Sequence, residues 1–163
     1  MAMTLISFGM MLGFLAWCIF QKGVVPESVS SLVYELEDKN RWVWSVWIAV
    51  VSILLFPRMM EVLPEMWQFL GFLFEVCMLG VAVTPVFKKE KYTAHTWFGI
   101  VGGVLSQLIV LAVGPWWLLC WLGMAGICGY VLSKDEECWI DGRGLLIAEA
   151  ICGLSLYGSL LIL

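Results

Sequence analysis

Charged residues are scarce in this chain, and histidine is scarcer still. Lys, Arg, Asp and Glu make up 13 % of 163 residues and apolar residues 62 %, where a soluble domain carries roughly 25 % charge. That shortage excludes an ordinary soluble fold. The single histidine, His95, excludes a multi-histidine zinc centre and a HExxH metalloprotease. Neither a GxSxG elbow, a Walker A loop nor a Rossmann glycine pattern occurs, so no metal and no cofactor are expected. The six cysteines (Cys18, Cys77, Cys120, Cys128, Cys138 and Cys152) contain no CxxC pair, which argues against a disulfide framework. Most of them fall in apolar runs, where Cys behaves as a small hydrophobe. Only Cys138, in an acidic loop, is expected to be exposed. Basic residues cluster just once, at Lys88-Lys89-Glu90-Lys91-Tyr92. This reads as a topology signal touching lipid headgroups, and no nucleic acid is expected as a partner.

What is present is apolar sequence in long runs. Six lie near 4–20, 42–60, 66–87, 95–113, 115–132 and 144–163, each about the 17–25 residues a membrane crossing needs. The fold class is therefore all-α: a polytopic transmembrane helical bundle of six spans, residues 1–163 forming one integral membrane domain. The first run lacks a basic n-region and a small-residue cleavage site, so it reads as a span rather than a signal peptide.

Lys and Arg set the orientation. Loops one, three and five carry Lys22, Lys39, Arg41, Lys88, Lys89, Lys91, Lys134 and Arg143, whereas the other side carries only Arg58. Loops 21–41, 88–94 and 133–143 are thus expected in the cytoplasm, with both termini outside a cytoplasmic (inner) membrane. Trp42, Trp44, Trp97 and Trp139 then fall near the inner boundary, and Trp67, Trp116 and Trp117 near the outer one. Gly114-Pro115 predicts a tight outer turn. In loop one, Val29, Leu32, Val33 and Leu36 recur at helical spacing, which predicts a short amphipathic helix that caps the bundle or lies at the inner interface.

Polar residues inside the spans carry whatever function there is. Glu75 lies about ten residues from either end of span three, and Glu149 roughly 8–9 Å inside span six. A carboxylate in hydrocarbon is costly, about +2.5 to +3.5 kcal/mol at a helix centre on insertion scales, which marks both as candidate site residues facing protein. Span four presents His95, Gly99, Gly102, Gly103, Ser106 and Gln107 at helical spacing on one side, a close-packing seam or a polar groove. Gln68 and Tyr157 continue the polar faces of spans three and six. A ladder from His95 through Glu149 to Glu75 is expected if spans three, four and six pack together. Gly9-x-x-x-Gly13 in span one, and Gly123, Gly126 and Gly129 in span five, are further close-approach points, some of them available between protomers. A shift of 74 residues superposes Trp42 on Trp116, Trp47 on Trp121 and Glu75 on Glu149, a faint echo of the inverted repeats of transporters.

Pro26-Glu27-Ser28-Val29-Ser30-Ser31, followed by Leu32-Val33-Tyr34 and a Trp-rich span, resembles the first loop of certain small, uncharacterised six-span bacterial membrane proteins. The resemblance implies the six-span arrangement and brings no activity. Three readings follow. The leading one is a non-enzymatic bundle that binds or passes a small solute, ion or lipid at a polar intramembrane site, with membrane lipid around it and a second copy or a membrane protein beside it. Its candidate binding residues are Glu75, Glu149, His95, Gln107, Ser106, Gln68 and Tyr157. The second is an accessory, immunity or interaction subunit without chemistry of its own. The third is a lipid-modifying membrane enzyme using Glu149 and His95 as acid and base.

Overall fold

In hydrocarbon every backbone N–H and C=O must be satisfied within the chain, and a helix does this for each apolar run separately. The computed structural model describes residues 1–22, 28–29, 32–36, 40–87, 92–132 and 144–162, and among these it is helical with turns and no strand. The helices are α1 (Ala2–Lys22), α2 (Leu32–Glu35), α3 (Arg41–Val62), α4 (Gln68–Phe87), α5 (Tyr92–Val113), α6 (Leu119–Leu132) and α7 (Gly144–Ile162). The basic cluster at Lys88–Lys91, together with Cys138 and Trp139, lies outside the described residues. So do the opening of the loop-one motif and the side chains of Cys128 and Gly129.

Two of the described breaks fall at prolines, whereas Pro57 and Pro85 lie inside α3 and α4. Leu63, just before Pro64, is extended at φ −71° and ψ 132°, and closes α3 by donating its amide N–H to the Met59 carbonyl. Gly114 at φ −152° leads into Pro115, which opens a 3-10 turn over Pro115–Leu118.

Among the described residues, five helical segments are long and apolar enough to cross a membrane: Ala2–Phe20, Arg41–Val62, Glu65–Pro85, Thr93–Val113 and Gly144–Ile162. The sixth expected run, 115–132, is split between the 3-10 turn and α6. At 14 residues α6 is roughly 21 Å long by its rise, short of a full crossing on its own.

Side-chain pairings give the helix directions. Ser7 bonds to Val51 and Trp47 to Met10, so α1 and α3 are antiparallel. Ser52 meets Glu75 and Gln68 meets Met60, which makes α3 and α4 antiparallel. His95 lies on Val81, and a Cβ on Gly102 would touch Cys77, so α4 and α5 are antiparallel too. Along α5 and α7 the numbers rise together: Gly103 faces Cys152, Gln107 meets Ser155, and Gly114 abuts Ser159. These two helices are parallel. The chain between them must therefore return to the opposite end of the bundle. Ser7 with Tyr157, and Met11 against Gly153, set α1 antiparallel to α7, so the chain's first residues and the end of α7 share one end. We call this the terminal end, and the other, where α2 packs, the loop-one end.

The neighbours run α1, α3, α4, α5, α7 and back to α1, a ring of five helices with α6 outside it against α7 and the 3-10 turn. Two apolar clusters fill the ring. Near the terminal end Met59, Ile109, Val110 and Leu160 are fully buried; near the loop-one end Val33 and Trp44 are. Between membrane helices this packing, rather than exclusion from water, supplies the cohesion. Its tightest points are glycines: a Cβ on Gly80 would sit 2.6 Å from the Phe98 ring, and one on Gly158 2.7 Å from the Trp117 indole.

One sequence expectation is narrowed here and two change. The loop-one helix is only four residues, and its Leu32 and Val33 are buried among Cys18, Trp47 and Val81, so it caps the bundle. Trp44 is not on the belt: it is buried against Trp47 and His95, while Trp42 and Trp97 stay exposed. Gly9, Gly13, Gly123 and Gly126 have no atom of the described residues within 4 Å of an added Cβ, so none is a close-packing point among those residues.

Candidate functional site

Glu75 sits ten residues from either end of the Glu65–Pro85 segment, on the side of α4 that faces α3. Ser52 of α3 is buried, and its Oγ lies 3.1 Å from Glu75 Oε1 and 3.1 Å from the Ala49 carbonyl. The other carboxyl oxygen, Oε2, is buried and has no hydrogen-bond partner among the described residues. A polar atom that is both buried and unsatisfied is uncommon in a folded protein.

Glu149 lies five residues into α7, near the loop-one end. Its Oε2 accepts the backbone N–H of Val29, just before α2. The carboxyl therefore fastens the capping segment to α7 and satisfies a main-chain donor that belongs to no long helix.

His95 occupies the first turn of α5. Its Nδ1 lies 3.1 Å from the Val81 carbonyl and 3.1 Å from Thr84 Oγ1. A carbonyl only accepts, so Nδ1 carries the proton. Tyr34 stands edge-on to the imidazole at 5.8 Å and Trp44 at 5.7 Å, while the Arg41 guanidinium lies 5.8 Å over Tyr34. The histidine is thus boxed between α2, α3 and α4.

The stripe on α5 divides. Gly102 turns to α4 and Gly103 to α7, while Gly99 turns to neither. Ser106 donates to the Gly103 carbonyl at 2.6 Å, and Gln107 Nε2 donates to Ser106 Oγ at 3.0 Å. Gln107 Oε1 accepts from Trp121 Nε1 at 2.9 Å and lies 3.1 Å from the Ser155 hydroxyl. Gln107 thereby ties α6 and α7 to α5.

Tyr157 OH lies 2.6 Å from Ser7 Oγ, which in turn donates to the Val51 carbonyl at 2.7 Å. The serine proton is committed to Val51, so the tyrosine donates to the serine. Gln68 closes the α3–α4 turn by donating to the Met60 carbonyl at 3.1 Å.

In the hydrogen bonds described, the seven candidate residues divide among six places, and of these residues only Ser106 and Gln107 are shown bonded to one another. The hydrogen bonds described for His95, Glu149 and Glu75 run to Val81 and Thr84, to Val29 and to Ser52, so no rung of the expected ladder is among them.

Sequence reasoning passed over Ser7, Ser52, Thr84 and Ser155, the partners that decide each environment. Their signal was a lone hydroxyl in an apolar helix, which must find an acceptor away from lipid. It passed over Arg58 as well. That residue donates from Nε to the Leu160 carbonyl at 3.0 Å and pairs with Glu61 at 2.9 Å. A cation at the last turn of α7 complements the helix dipole there. No family model matches the chain, and neither a curated protein nor a solved structure matches it.

Proposed function

We propose that this chain is an integral membrane protein that binds or passes a small solute, ion or lipid at an intramembrane polar site centred on Glu75. One observation carries the reading: a carboxyl oxygen buried midway along a membrane-length helix with no partner from the protein. The hydrogen bonds described for Glu149, Gln107, Tyr157 and Gln68 fasten one segment to another, and among the described atoms of the candidate residues Glu75 Oε2 is the one buried oxygen with no hydrogen-bond partner. Six crossings, with loops one, three and five in the cytoplasm, belong to the same proposal. Support comes from the parallel α5–α7 pair, which needs a return path, from the distribution of Lys and Arg, and from the loop-one resemblance.

Flux or equilibrium binding in reconstituted vesicles tests the site, with proton, Na⁺ and K⁺ gradients as the first probes. Glu75→Gln should abolish whichever activity the wild type shows while α-helical content is kept. A variant as active as the wild type removes Glu75 from the function. For orientation, a cysteine placed near Glu61 in a cysteine-free background should be labelled from outside intact cells, and one at Lys89 or Glu136 should not. Outside labelling at either of the latter reverses the assignment.

The accessory-subunit reading is favoured by a different observation. Gln107, Tyr157, Glu149 and Gln68 all serve the chain's own architecture. On that reading Glu75→Gln is silent in every assay. The acid–base enzyme reading needs His95 and Glu149 side by side, and their described bonds run to α4 and to Val29.

A further inference from the structure

We infer that the species held at Glu75 is a proton, carried as the neutral acid on Oε1 and read out by Ser52; this rests on the reading of Glu75 as the binding site. The count of hydrogen-bond donors points to it. Ser52 has one hydroxyl proton and two oxygens equally distant, the Ala49 carbonyl and Glu75 Oε1, each at 3.1 Å. Ala49 can only accept. With Glu75 ionised, the serine proton must turn to the carboxylate, and Oε2 remains a charged oxygen in an apolar site with no donor. With a proton on Oε1, Glu75 donates to Ser52 Oγ, Ser52 donates to Ala49, and Oε2, still without a donor, is a neutral carbonyl oxygen, which costs far less to bury unmatched than a charged one. Binding is then one carboxylate plus one proton giving one carboxylic acid, with a half-turn of the serine hydroxyl.

A metal cation fits the same place poorly. Ca²⁺ takes about 6–8 oxygen ligands and Mg²⁺ an octahedral set, whereas one carboxyl and one hydroxyl meet here, and no cluster of three or more His, Cys, Asp or Glu occurs among the described residues. Among the described residues, the elements around Glu75 bring no opposing charge within pairing reach. From α3 the nearest charged residues are Arg58 and Glu61, which pair with each other six and nine positions beyond Ser52. From α5, His95 packs on Val81 and Thr84, at least six positions along α4 from Glu75. Cys77 is the titratable neighbour on α4 itself, and Tyr157 of α7 is committed to Ser7.

Infrared spectroscopy of the full chain in lipid vesicles tests this. At neutral pH the wild type should show a carboxylic-acid C=O band that is lost in Glu75→Gln and shifted in Ser52→Ala, which keeps the acid but removes its hydrogen-bond acceptor. The band should not change when Na⁺ is exchanged for K⁺ or choline. Absence of the band in the wild type, its persistence in Glu75→Gln, its indifference to Ser52→Ala, or its bleaching by Na⁺ would each overturn the proposal. Should Glu75→Gln fail to fold, the Ser52→Ala shift and the cation exchange decide. A band that behaves as expected without any flux or binding leaves the proton site standing and sinks the transport reading. Flux without the band does the reverse.

Discussion

Glu75 and Glu149 are the same residue type, 74 positions apart, each inside an apolar helix, yet their surroundings are opposites. Glu149 is near a helix end, and its carboxyl accepts a main-chain amide that would otherwise be stranded. Glu75 is at mid-helix, offers one oxygen to a hydroxyl that has a second acceptor at the same distance, and leaves the other unmatched. The first carboxyl is used by the fold. The second is tolerated by it. The same contrast dissolves the faint internal echo: Trp47 is buried and bonded to Met10, while its counterpart Trp121 is exposed and bonded to Gln107. Identity at a fixed offset did not carry environment with it.

Substitution by leucine should separate the two most sharply. Glu149→Leu removes the acceptor of the Val29 amide and should cost about 1–3 kcal/mol, with α2 loosened from the bundle. Glu75→Leu strands nothing, because Ser52 still has Ala49, and it removes a carboxyl from hydrocarbon. Its effect on stability should stay within about 1 kcal/mol. Unfolding titrations in mixed detergent micelles measure both. Equal losses at the two sites would end the distinction between a structural and a functional carboxyl.

The divided stripe on α5 gives the next contrast. A leucine at Gly103 must grow past the Cys152 sulfur, 3.9 Å from where its Cβ would stand, at a cost of about 1–3 kcal/mol as overpacking. At Gly99 nothing lies within 4 Å, and leucine should change stability by less than about 0.5 kcal/mol. The same titrations rank the pair. A damaging Gly99→Leu would mean that this face meets another molecule, the one result that would favour the protomer contact the glycine spacings suggested.

How much was legible can be argued from single elements. Five of the six runs are helices of membrane length because hydrocarbon leaves an apolar backbone no other economical solution. Proline and glycine marked the turns at Pro64 and Gly114-Pro115 for local steric reasons. The 115–132 run was read as a whole span. Composition could not show that its first turn winds as a 3-10 helix with Trp117 against Gly158. Trp44 was read as a belt residue for the same reason: depth follows from position in the run, but which side of the helix meets lipid does not.

Length, helical class, the expensive carboxyls and the distribution of positive charge are properties of residues one at a time or in runs, so they can be read along the chain. Who bonds to whom depends on how five helices rotate about their axes, and that emerges only when the helices pack. Rotation is chosen by close contacts such as Gly80 on Phe98 and by hydroxyls seeking acceptors, Ser7 on Val51 and Ser52 on Glu75. Each such contact joins residues far apart in the chain. A ladder from His95 to Glu75 was compatible with the spacing along each helix, and the bonds described for these side chains run instead to Val81 and Thr84, to Val29 and to Ser52.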